Sequence, residues 1–224
     1  MAVADGANPD KITVHHQTVD LNHFSPARLQ PQRIPTRKGF QIPEHEVVFG
    51  FVAHNLRMKN LDLLLKIFSR LSQSLPIRLL VASRKAPNFR APWLTYAGHV
   101  SDIAAIYSAC DALLHPTFFD SCANVVLEAM ASGVPVAVSN TSGIHEIISH
   151  QLDGYVLPVR GNHNDIVALW SETIRKLASD IQLRQTIASE GRKRAEQQDY
   201  SRFLPWFEEF LMGVEKTRRT GVRK

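Results

Sequence analysis

Apolar residues along this chain fall into short unbroken runs, separated by stretches with helical spacing. Val47–Ala53 is apolar throughout apart from Gly50, as in a strand covered on both faces. A polar loop follows from His54 to Lys59, and Asn60 stands where a helix N-cap is expected. Leu61, Leu64, Leu65, Phe68 and Leu71 then recur with the spacing of an amphipathic helix packed on a core. Ile77–Ala82 reads as a second buried strand and Leu94–Ala97 as a short third one. Ser101 is the expected cap of a helix whose apolar face is Ile103, Ile106, Tyr107 and Cys110. Ala112–His115 reads as a fourth strand, and Asn124–Ser132 as a helix closed by Gly133. Val134–Ser139 is the expected fifth strand, Ile144–Ser149 a short helix and Tyr155–Pro158 a sixth strand. Two or three helices follow between Asp165 and about Val214.

Strands alternating with helices across short connections predict an α/β fold, a doubly wound parallel sheet of Rossmann-like type, over residues 47–215. Sheets of this kind bind ligands beyond the C-terminal ends of their strands, near the reversal of strand order. The loops to inspect are therefore 53–60, 83–92, 98–101, 115–124 and 139–144. Residues 1–46 have no helical period, and Pro26, Pro31, Pro35 and Pro43 are expected to break regular structure there. This segment reads as an extended leader or linker with a short strand around Ile12–His15.

Composition narrows the function classes. Apolar residues make up 44% of the chain and charged residues 21%, which excludes wholesale disorder. No apolar run reaches the ~20 residues of a membrane helix, and no N-terminal segment has the form of a signal peptide. Cys110 and Cys122 fit neither a disulfide framework nor a zinc spacing, and read as reduced thiols of a cytoplasmic protein. Residues 1–46 and 47–215 are each balanced in charge. The whole excess of +5 therefore lies in a basic tail, Lys216, Arg218, Arg219, Arg223 and Lys224. That tail reads either as a solvated end or as a weak peripheral contact with an anionic membrane surface, at the inner face of the membrane. Nucleic acid is not an expected partner, because basic and aromatic residues do not interleave along a face.

The chemistry concentrates in residues 115–136. Asp120, in the loop after the fourth strand, and Glu128, inside the following helix, bracket seven residues that include the helix N-terminus. Unpaired N–H groups and the positive dipole end suit a phosphate there. Ionised carboxylates on either side suit hydroxyls. The pattern fits a nucleotide sugar. On spacing alone, a capping Asp120 and a surface Glu128 fit equally well.

Residues 115–136 resemble the acid-x7-acid signature of the family-4 retaining glycosyltransferases of GT-B fold. Phe49 to Asp62 with Lys59, Gly98–Asp102, Ile106–Pro116, Ser142–Glu146 and Asp153–Val156 resemble further segments of that family. Val19–Pro26 resembles the linker between its two domains. The resemblance is nearest to transferases of the lipopolysaccharide core and other surface polysaccharides. It implies the donor-binding, C-terminal half of such an enzyme, with residues 1–46 as interdomain-type linker and the acceptor-binding half absent.

The same resemblance implies roles by position. Glu128 would hold the ribose hydroxyls and Asp120 would touch the donor sugar. Lys59 would neutralise the diphosphate with a neighbouring Arg, for which Arg57 is the candidate. Backbone near Val100 would meet the base, and the helix end at Ser121, Cys122, Ala123 and Asn124 the phosphates. Asp120 is shorter than the usual Glu, and Cys122–Asn124 replaces a turn that usually contains Gly. No metal and no cofactor is expected, only a nucleotide-diphosphate sugar, with a UDP-sugar favoured, and a glycan or lipid acceptor. The expected activity is transfer of the sugar with retention, with catalysis resting on Asp120, Glu128 and Lys59. Two rivals stand beside it. One is a non-catalytic nucleotide-sugar-binding module, or a subunit completed by a separate N-terminal-type chain. The other is a nucleotide-sugar epimerase, against which the acid-x7-acid signature speaks. His115 reads as a packed residue at a strand end, and Arg84 and Lys85 divide between a solvated loop and a further phosphate contact.

Overall fold

The computed structural model describes residues 4–220, with side chains to Val214. The basic tail therefore lies outside the described side chains. Six strands, β1 (Val47–Ala53), β2 (Ile77–Ser83), β3 (Leu94–Gly98), β4 (Ala112–His115), β5 (Val136–Ser139) and β6 (Tyr155–Leu157), form one parallel sheet in the order β3-β2-β1-β4-β5-β6. The expected doubly wound parallel sheet is therefore present, with every strand within two residues of its expected bounds at either end.

The apolar runs form strands because both faces of the sheet are covered. Val48, Leu80, Leu113 and Val138 face one core, while Phe49, Phe51, Leu79, Leu114 and Ala137 face the other. The first core is closed by the helices α1 (Pro26–Leu29), α2 (Arg33–Gly39), α4 (Ala104–Ala109), α5 (Asn124–Ala131) and α7 (Ile181–Glu196). The second is closed by α3 (Leu61–Leu71) and α6 (His163–Ser179), with Phe68 packed edge-on against Phe49 and Trp170 fully buried. The remaining helix, α8 (Tyr200–Thr220), leaves Leu204, Leu211 and Met212 exposed. Among the described residues no helix is long and apolar enough to cross a membrane.

Three local expectations are corrected. Asn60 precedes α3 but lies in the left-handed region (φ 60°), and its side chain caps nothing. The cap of α4 comes from Asp102, whose Oδ1 accepts the N–H of Ala104 at 3.1 Å, not from Ser101. No strand forms around Ile12–His15, and residues 26–39 are helical instead of extended. The prolines permit this because of where they fall. Pro26 opens α1 and Pro35 is in the first turn of α2, where backbone N–H groups have no intrahelical acceptor to lose. Gly133, by contrast, takes up the left-handed position (φ 72°) that ends α5 as expected.

Replacing Phe68 with Ala opens a void between Phe49 and Trp93 under α3. The expected cost is about 3–5 kcal/mol of unfolding free energy, read from the midpoint of urea denaturation at unchanged slope.

Candidate functional site

Strand order reverses between β1 and β4, so the connections leaving these two neighbours run to opposite sides of the sheet. A cavity of about 540 Å³ opens at their C-terminal ends. It is bordered by the ends of β1, β2 and β4, by the loop after β3 and by the N-terminal turn of α5. Its lining includes Lys59, Val100, Asp120, Cys122, Ala123, Asn124 and Glu128, so the fold brings together most of the residues singled out by the acid-x7-acid pattern. Arg57 and Ser121 are not in the lining. Both are exposed, and Arg57 sits in the turn before α3 with its carbonyl accepting the N–H of Asn60 at 3.0 Å. The basic lining residues besides Lys59 are His54, Arg84, His99 and His115. Lys85 does not reach the cavity.

Two loops build the floor. The β4–α5 loop carries Asp120, and its backbone is pinned to the β5 loop: Gly143 N–H donates to Asp120 C=O at 2.8 Å, and Asp120 bridges Ser142. Position 143 must be glycine, because a Cβ there would come within 2.2 Å of the Ser121 carbonyl oxygen. The loop enters α5 through Ala123, whose positive φ (38°) costs a non-glycine residue on the order of 1–3 kcal/mol. Asp120 offsets this strain, since its Oδ1 accepts the N–H groups of Ala123 (2.9 Å) and Cys122 (3.1 Å). The β1–α3 loop carries Lys59 and is stitched to the first: Phe118 N–H donates to Met58 C=O at 3.0 Å.

Electrostatics sort the acidic and basic groups of the site. Asp120 Oδ2 accepts from Lys59 Nζ and from His115 Nε2 (3.1 Å). Burial alone would raise the Asp120 carboxyl. The hydrogen bonds from His115, Lys59, Ala123 and Cys122 outweigh it and hold the group well below the usual carboxylate range. His115 is only 1% exposed. Burial lowers its pKa, and Nε2–H is the donor because the Asp120 carboxylate can only accept. Glu128 is different. Burial raises its pKa, against a single strong bond from the buried Tyr107 hydroxyl to Oε2 at 2.7 Å. Among the described residues none donates a hydrogen bond to Oε1 of Glu128. Tyr107 and His115 thus support the site's two carboxylates. Tyr107 could have been suspected from its place on the face of α4 toward the core, whereas nothing local marks a strand-end His as an acid's partner.

Among the described residues no group of three or more His, Cys, Asp or Glu side chains is arranged to hold a metal. A second cavity of about 540 Å³ runs along α2 past Arg33, Arg37 and Lys38. Arg33 and Arg37 are committed to Asp111, at 2.5 and 2.6 Å, which leaves little free charge for a ligand there.

The chain matches the family model described as "Glycosyl transferases group 1" over residues 46–197. It is 27% identical over 216 residues to the D-inositol 3-phosphate glycosyltransferase of Salinispora arenicola, covering 84% of this chain and 46% of that protein. Among solved structures it resembles WaaG, a glycosyltransferase involved in lipopolysaccharide biosynthesis, with a TM-score of 0.75 and 22% identity over 86% of this chain and 54% of the other. It also resembles Anabaena HepE in complex with UDP-glucose, with a TM-score of 0.78 and 19% identity over 94% of this chain and 60% of the other. The chain spans about half the length of the curated relatives it matches.

Replacing Tyr107 with Phe removes the bond that favours ionised Glu128 and moves the Glu128 titration further up. The cost falls mainly on the ionised carboxylate, whose hydrogen bond from the hydroxyl is the stronger. Stability therefore falls little at pH 4 and by about 1–3 kcal/mol at pH 7, a difference read from denaturant titrations at the two pH values.

Proposed function

The chain belongs to the group 1 glycosyl transferases, and on that basis we propose that its cavity takes the nucleotide-diphosphate sugar of a retaining glycosyl transfer. The observation that carries this reading is the placement of Glu128, Lys59 and the N-terminal turn of α5 around a single cavity at the reversal of strand order. A ribose with two neighbouring hydroxyls suits the partnered-and-open pair of oxygens on Glu128. A diphosphate suits the Lys59 ammonium together with the first N–H groups of α5, at Asn124 and Val125. The base would lie toward Val100. Arg84, which borders the same cavity, takes the supporting basic role for which Arg57 is poorly placed.

The reaction follows from the charges. As the acceptor hydroxyl attacks the anomeric carbon, the bond to the diphosphate breaks and negative charge grows on the leaving oxygen. A fixed ammonium and a helix end beside that oxygen lower the barrier by several kcal/mol. A UDP-sugar is the favoured donor, supported by the likeness to a fold that holds UDP-glucose. A cell-surface glycan or lipid is the favoured acceptor, supported by the likeness to a protein of lipopolysaccharide biosynthesis. Residues 1–46 take the place of an interdomain linker and 47–215 that of the donor domain. Holding the acceptor falls to a second surface, on the same polypeptide or on another. The basic residues of 216–224 support a peripheral contact with an anionic membrane surface.

Calorimetry with UDP tests the donor site. Glu128→Ala is expected to weaken binding by ~1–3 kcal/mol through the unpaired ribose hydroxyls. Lys59→Ala is expected to weaken UDP more than uridine, and less so at high salt. Equal losses for uridine and UDP in the Lys59 variant would contradict the assignment. A second expectation concerns turnover. The 224 residues expressed alone should bind donor but transfer it far below ordinary enzyme rates, because orienting the acceptor is worth about 7–11 kcal/mol of barrier. Mass spectrometry of candidate acceptors incubated with donor checks this.

A further inference from the structure

We propose that Asp120 is a positioning residue, which fixes the Lys59 ammonium and the entry to α5, and that it is not a ligand for the donor sugar. This rests on the donor-site reading and departs from the role that the acid-x7-acid resemblance gives to the first carboxylate.

The geometry carries it. A carboxylate offers about four acceptor positions, and all of those on Asp120 are used within the protein. Oδ1 takes the N–H groups of Cys122 and Ala123, at 3.1 and 2.9 Å. Oδ2 takes Lys59 Nζ and His115 Nε2. The backbone is held as firmly, with the Asp120 carbonyl accepting from Gly143 N–H and its N–H pointing to Thr141. A sugar hydroxyl would have to displace one of these donors. Displacing Cys122 or Ala123 releases the strained turn at Ala123. Displacing His115 strands a polar N–H on a residue that is 1% exposed. Displacing Lys59 frees the cation that the diphosphate needs. Glu128 lacks this saturation, since Oε1 is left for a ligand.

The short side chain explains why. Asp120 reaches the backbone two and three residues ahead in a tight turn, a contact that places its second oxygen beside Lys59. The loop of Lys59 is tied to the same strand end, through Met58 C=O to Phe118 N–H and Thr117 Oγ1. Lys59, Asp120 and the end of α5 therefore form one hydrogen-bonded unit. The ion pair consumes one of three ammonium hydrogens, and the other two remain for a phosphate.

The test compares UDP with UDP-glucose by calorimetry in the full chain, for wild type, Asp120→Asn, Lys59→Met and the double variant. The proposal expects Asp120→Asn to weaken both ligands by the same factor, about tenfold or more, so that the ratio of their dissociation constants is unchanged. It expects a smaller further loss from Asp120→Asn once Lys59 is Met, because only the contribution through the turn into α5 remains. A loss confined to UDP-glucose, or full additivity of the two substitutions, overturns it. Asp120→Asn also weakens the turn, so a ligand-free measurement runs beside it: carboxyl-carbon NMR of Asp120 in the folded Lys59→Met chain. The proposal expects the Asp120 titration to rise from its depressed position when Lys59 is lost. An ordinary aspartate titration in wild type, unmoved by Lys59→Met, overturns it too. Should wild type bind neither nucleotide, the donor-site reading fails, and the NMR result alone then decides whether Asp120 positions Lys59.

Discussion

Everything at the site depends on one constraint, the side-by-side pairing of β1 and β4 at the point where strand order reverses. Their ladder is short, Phe49 with Ala112 and Gly50 with Leu113. Beyond it the two strands part, and the cavity opens at their C-terminal ends. The start of this pairing is held by Asp111. Its N–H donates to Val48 C=O, and its Oδ2 accepts the Val48 N–H, each at 2.7 Å. Arg33 and Arg37 of α2 close on the same carboxylate, with Arg37 also reaching the carbonyls of Ala109 and Glu46. Burying the Arg37 guanidinium is costly unless it is paired and hydrogen-bonded, and here it is both, while Arg33 stays partly exposed.

That arrangement accounts for the leader as well. Residues 26–39 are folded onto α4 and the head of β4 because Asp111 recruits their arginines. Upstream, Val19 bridges Asp199 between α7 and α8, and Gln17 accepts from the Cys122 thiol at the cavity rim. The first 46 residues thus clamp the helices of one face from outside and brush the rim of the site. Asp111 at the base of β4 and Asp120 beyond its tip share a logic: each gathers two basic side chains, with one backbone N–H at Asp111 and two at Asp120.

Most of the sheet was legible in the sequence because its inner strands are covered on both faces, which turns them into apolar runs that need no context; the half-exposed edge strand β3 is the exception. The acid-x7-acid spacing was legible for a similar reason, since a loop followed by a helix fixes where Asp120 and Glu128 fall relative to one helix end. Local chemistry misled where tertiary contacts decide. Asn60 reads as a cap but is bent into the left-handed region by the turn that presents Lys59. Prolines read as breakers of residues 26–39, yet fall in first turns, where they cost no hydrogen bond. Arg57 is closer in sequence to Lys59 than Arg84 is, but does not line the cavity, while Arg84 reaches it from the end of β2. The bonds Tyr107 to Glu128 and His115 to Asp120 join residues from separate elements or a folded loop, and spacing alone does not reveal them.

The most direct test of this account is amide NMR of the chain during titration with UDP. The account predicts saturable shifts concentrated at Lys59, Val100, Asn124, Val125 and Glu128, around the ends of β1 and β4. Shifts gathered instead along α2, at Ile34, Lys38 and Gln41 beside the second cavity, would contradict it, as would none at millimolar nucleotide.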